Sequence, residues 1–229
     1  MAEAGKRALD LKTVQHVGRL KDIVFVLLKY GFDDVVARLE LPGKLLLKRV
    51  IHVERDLTTP QRIRRTLEEL GPTFVKFGQV MSLRTDQLPA ELILELKKLH
   101  DEVPPVAFDK IRQRIEKELG RPLEEAFVQF DPQPAAAASL AQVHRAVLRA
   151  ERQAVAVKVQ RPDIQADIES DLALMRMIAR QLDQRMEALK LYDLPKLVQE
   201  FHKTVTRELD YSREARNMRI FQANFAGDT

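Results

Sequence analysis

Lys158 lies in the run Val155-Ala156-Val157-Lys158-Val159, a single charge inside an apolar, β-branched stretch. Such a stretch reads as a strand. If apolar neighbours bury it on both sides, the ammonium needs an anion, either a carboxylate on a nearby helix or a ligand phosphate. An edge strand whose lysine points into water fits the same residues, and the local pattern leaves both readings open. Just upstream comes PAAAASLAQ, residues 134–142, a small-residue stretch between strand-like segments.

Two further clusters carry charge at helical spacing. In RELDYSREARNM, residues 207–218, a continuous helix puts Asp210, Glu214 and Met218 on one face. Glu208 then lies about 240° around the axis from Glu214, so the two glutamates serve different neighbours. In GPTFVKFGQVMSLRTDQLP, residues 71–89, Lys76 and Gln79 are nearly co-facial, while Phe74, Phe77 and Met81 form a separate apolar stripe. Read alone, each cluster also suits a solvated helix face. The five histidines (16, 52, 100, 144 and 202) have no metal-type spacing. No Walker A, Rossmann glycine or nucleophile-elbow motif is present.

The elements that must hold these residues are mostly helical. Apolar positions recur at helical spacing through Val17, Leu20, Val24, Leu27 and Leu28, and IVFVLL at 23–28 suits a core stripe or a membrane-facing one, with core the favoured reading. A second helical pattern runs from Lys44 to about Val53. Thr59-Pro60 reads as an N-cap and first helical residue, Thr73 as the cap of the next helix, and Leu88-Pro89 as another start. Asp109 precedes a helix that Gly120 ends. Then the period changes: EEAFVQFD, QVHRAVLR and AVAVKVQ read as a short antiparallel meander. Residues 121–226 contain no glycine, so its turns form without the residue that most easily takes positive φ. From Pro162-Asp163 onward the chain is helical again, with a break near LYDLP at 191–195.

Composition narrows the class. The 229 residues are 45% hydrophobic and 31% charged, with no tryptophan and 6% aromatics, which favours helical packing. The absence of cysteine removes disulfides, thiolate metal sites and a cysteine nucleophile. The net charge of +4 is mild. RIRR at 62–65 is the densest basic cluster, and with no aromatic platform beside it nucleic acid is not expected as a partner. No stretch approaches the roughly 20 apolar residues of a membrane span, and the start lacks a signal-peptide layout. The expectation is a soluble protein, or one peripheral to an anionic membrane surface.

The order strand, small-residue turn, strand, then VAVK resembles the start of a protein-kinase small lobe. More specifically, KFGQ at 76–79, AAAASLAQVHRA at 135–146, VAVKVQRP at 155–162 and ELDYSREARN at 208–217 resemble the UbiB (AarF/ADCK) atypical kinase-like family in content and order. The resemblance implies an α+β, mostly helical fold: a helical N-terminal extension over 1–105 with a KxGQ helix, then a kinase-like small lobe over 106–229, the large lobe missing. It implies that Lys158 contacts nucleotide and Glu214 is its ion-pair partner. Ala136, Ala137, Ala138 and Ser139 would cover the phosphates, with alanine in place of glycine. Lys76 and Gln79 of KxGQ would face Glu208 and Asp210 of ExD across the region where an ordinary kinase admits protein. ATP or ADP with Mg²⁺ is the implied cofactor, and support of ubiquinone (coenzyme Q) or related isoprenoid-lipid biosynthesis the implied role. Membrane surface, isoprenoid lipid and biosynthetic enzymes are the implied partners, at the cytoplasmic side of a bacterial inner membrane. Nothing after Asn217 supplies a catalytic loop or a DFG aspartate, so the expectation is an N-terminal portion that turns over ATP poorly alone. A non-catalytic, pseudokinase-like adaptor is the alternative.

Overall fold

Hydrophobic periodicity sorts the chain into a helical layer and a small sheet, each with its own core. The computed structural model describes residues 17–40, 56–99 and 104–226. The Lys44–Val53 pattern lies outside them. Residues 17–29 form helix α1, followed by α2 (Asp33–Ala37), α3 (Thr59–Leu70), α4 (Pro72–Met81), α5 (Ala90–Leu96), α6 (Phe108–Leu119) and α7 (Leu123–Ala126). Strands β1 (Phe127–Phe130), β2 (Ala136–Ala137), β3 (Ala141–Leu148) and β4 (Ala154–Gln160) come next. Helix α8 (Ile164–Arg185), a 3-10 turn (Glu187–Tyr192), α9 (Leu194–Leu209) and α10 (Tyr211–Asn224) complete it. The architecture is mostly helical with a small antiparallel sheet, as expected.

The helical core gathers α1, α3, α4, α5, α8 and α9. In α8 the buried positions Ile164, Ile168, Leu172, Met175, Ala179 and Leu182 recur at three and four, one stripe facing inward. Ile23, Val24 and Val26 of the IVFVLL stretch are buried in the same core. Arg19 grips Asp171 with two nitrogens, at 2.7 and 3.1 Å, and reaches the Leu70 carbonyl at 2.6 Å, tying α1 to α8 and α3. Two of the RIRR arginines are internal clamps: Arg62 bonds the carbonyls of Tyr30 and Gly31, and Arg64 pairs with Glu68 and Glu95.

The meander has an addition. β3 pairs with β4 along one edge and with β1 and the two-residue β2 along the other, all antiparallel. The alanine stretch thus begins as a ladder rung and turns only at Ala138, whose N–H donates to the Ala141 carbonyl at 2.8 Å. No residue from 134 to 141 has positive φ, as expected where Cβ atoms crowd the left-handed region. In the glycine-free β3–β4 connection Arg152 takes that conformation, at φ 54°.

Several helix starts differ from the sequence reading. Thr58, not Thr59, caps α3, in a capping box with Gln61. Gly71, at φ 95°, precedes α4 with Pro72 at its first turn, and Thr73 is buried inside the helix. The largest departure is at 210: α9 stops at Leu209, and Asp210 (φ −86°, ψ 84°) caps α10 by accepting the Arg213 N–H at 3.0 Å. The continuous 207–218 helix is therefore two helices.

A cleft beneath the alanine-rich turn

β4 explains where Lys158 points. Its bulky residues Val155, Val157 and Val159 alternate with Ala154, Ala156 and Lys158. The valines pack with Phe127 and Phe130 against Ile111 and Ile115 of α6. The other face, with Lys158, is open. The strand is thus not buried on both sides, and the Lys158 side chain is 44% exposed. The pairing that burial would have demanded is still present.

Glu214, in the first turn of α10, takes the Lys158 ammonium with both oxygens, Nζ lying 3.0 Å from Oε1 and 2.8 Å from Oε2. The ammonium also lies 4.7 Å from the centre of the Tyr211 ring, in cation–π range. Gln160, two residues along β4, donates to the Leu209 carbonyl at 2.5 Å and fastens the α9–α10 junction to the strand. On the opposite wall Lys76 of α4 pairs with Glu208 at 3.0 Å. The glutamates thus meet different lysines, although the break at Asp210, not rotation about one helix, separates them.

These groups line one cleft of about 480 Å³, roofed by Ala138 and Ser139. Ala136 and Ala137 sit behind the roof in β2, outside its lining. Gln79 also turns away, donating to the Leu99 carbonyl at 3.2 Å, and Asp210 is occupied in capping α10. The structure adds Tyr211, Arg207 and Arg213, which the sequence reading did not single out. Four cations (Lys76, Lys158, Arg207, Arg213) face two carboxylates (Glu208, Glu214), a surplus of two positive charges. The Tyr211 phenol is pushed up to about 12, first by burial and then by Glu214 and Glu208.

A lysine on the third long strand, held by a helix glutamate beneath a small-residue turn, is the arrangement of a kinase small lobe. Residues 98–229 match the model of the ABC1 atypical kinase-like domain. The chain belongs to that family. It is 39% identical over 220 residues to "Probable protein kinase UbiB" of Aeromonas salmonicida (strain A449), an alignment covering 94% of this chain and 40% of that protein. The chain thus spans two fifths of that UbiB relative's length. Among solved structures it is similar to the complex of Rv3197 with erythromycin from Mycobacterium tuberculosis, at 31% identity and a TM-score of 0.46, covering 71% of this chain and 41% of that one. Within the described residues no helix is long and apolar enough to cross a membrane.

Proposed function

We propose that the cleft binds the phosphates of ATP or ADP, with Lys158 contacting them and Glu214 holding its ammonium in place. The carrying observation is the two-oxygen grip of Glu214 on Lys158. With side chains 44% and 39% exposed, this pair stabilises the fold by at most about 1 kcal/mol. A preformed pair of so little structural weight, on a wall with surplus positive charge, suits a polyanion. Ala138 and Ser139 cover the phosphates, with Ala136 and Ala137 fixing the turn from behind. Lys76 and Glu208 close the side, while Gln79 ties α4 to the Leu99 carbonyl and Asp210 caps α10, the helix that carries Glu214.

By themselves the described residues do not form a Mg²⁺ site. Both cleft carboxylates are engaged by lysines, and no three His, Asp or Glu side chains among the described residues converge to hold a metal. Mg²⁺ would enter with the nucleotide and neutralise phosphate charge. The function proposed for these residues is therefore binding, not turnover. A role in ubiquinone or related isoprenoid-lipid biosynthesis, beside a membrane surface, an isoprenoid lipid or biosynthetic enzymes, is supported by kinship with the UbiB relative alone.

Titrating the chain with a fluorescent ADP or ATP analogue tests this reading. Lys158→Ala should weaken binding on the order of tenfold or more, as expected when a charge-assisted contact is lost. Unchanged affinity would overturn the assignment.

A further inference from the structure

Gln142 and His144 have no exposed surface, and the cleft chemistry uses neither. They lie two apart on β3 and so share its inner face, where the His144 ring packs 5.3 Å from that of Phe130 and 6.3 Å from that of Phe108. Their polar atoms form a directed chain. The Val106 backbone N–H can only donate, and it donates to Gln142 Oε1. The amide nitrogen of Gln142 therefore faces the other way, 3.3 Å from His144 Nε2. An amide nitrogen only donates, so Nε2 must accept and the ring proton must sit on Nδ1. From there it donates to the Asp131 carbonyl at 2.9 Å.

Asp131 opens the segment that becomes the alanine-rich turn. Its N–H bonds the Arg145 carbonyl at 2.9 Å, and the Ala135 N–H bonds that of Val143 at 2.8 Å. At the turn's other end Arg161 donates from Nε to the Ala138 carbonyl at 2.9 Å, and its guanidinium also reaches the Pro104 carbonyl at 3.0 Å. Two clamps, one at each end of the turn, thus converge on residues 104–106. Without a glycine or a positive φ to define its shape, the turn takes it from these bonds.

We infer that His144, oriented by Gln142, is a positioning residue for the alanine-rich turn: its Nδ1–H tautomer holds the turn over Lys158 before any ligand arrives. That the turn covers nucleotide rests on the function proposed above; that His144 holds it does not. Long-range ¹H–¹⁵N correlation on the 229-residue chain should show the His144 proton on Nδ1 at neutral pH, and an Nε2–H tautomer or an imidazolium would overturn the inference. Hydrogen exchange at the Ala135 and Ala138 amides should quicken at least tenfold in His144→Ala and His144→Gln. It should stay near wild type in His144→Asn, whose amide restores a donor at the Nδ1 position. Affinity for the nucleotide analogue should follow the same order, falling on the order of tenfold in Ala and Gln and recovering in Asn. Wild-type exchange in all three variants would sink the inference and leave the nucleotide reading standing. Failure of the wild-type chain to bind nucleotide would remove that reading, and the exchange rates would still decide the role of His144.

Discussion

Gly78, the glycine of KFGQ, lies mid-helix in α4, and its replacement by alanine pits two effects of known size against each other. Alanine favours an α-helix over glycine by up to about 1 kcal/mol. Against this, a Cβ at 78 would fall on Cδ1 of Leu99 and come within 2.8 Å of Leu67 Cδ1 and 3.4 Å of Leu96 Cδ2. The first two approaches are roughly 1 Å inside van der Waals contact. All three leucines are buried, at 5%, 9% and 2% exposure, so none can swing its methyl into water. Forcing one extra carbon into such packing costs about 1–3 kcal/mol. Overpacking is the larger effect over most of that range, and Gly78→Ala should destabilise the chain by up to about 2 kcal/mol, lowering the urea midpoint by up to roughly one molar. Gly18 of α1 is the control: a Cβ there meets nothing within 4 Å among the described residues, so the same substitution should leave stability unchanged or raise it by up to about 1 kcal/mol. A Gly78→Ala midpoint at or above wild type would refute the idea that this glycine exists to let α3, α4 and α5 approach.

Two further outcomes test the frame of the site. Asp171→Ala should cost about 2–3 kcal/mol in urea unfolding, because it strips the carboxylate from Arg19 in a pair whose aspartate side chain is 6% exposed; the 29% exposure of Arg19 keeps the loss below that of a fully buried pair. A loss under half a kcal/mol would show that the clamp carries little. Tyr211, raised to about 12, should ionise after the ordinary tyrosine range in an ultraviolet titration, and Tyr211→Phe should delete that late step. The sign is fixed by the raised value: the stability its neutral phenol contributes is present below pH 10 and lost as pH rises through about 12.

How much of this was legible depended on whether a residue's role was local. The direction of Lys158 was written in residue size: three valines at odd positions turn toward α6, and the small alanines and the lysine at even positions turn away. Counting the alanines as apolar hides that alternation and leaves burial on both faces and an open lysine face equally compatible with the sequence. The break at Asp210 was harder to read. Arginines and glutamates, good helix formers, stand on both sides of it, so helical periodicity continues straight through; only aspartate's preference for N-caps marks the spot. That one cap decides the site. A continuous helix would carry residues 211–218 along the α9 axis, whereas the turn at Asp210, fastened through Leu209 to Gln160, redirects α10 so that Glu214 meets a lysine 56 residues earlier in the chain. Helical spacing could separate Glu208 from Glu214 but could not supply their partners, because pairing across the fold is set by how β4, α4 and the α9–α10 junction dock, and no window of sequence contains that docking.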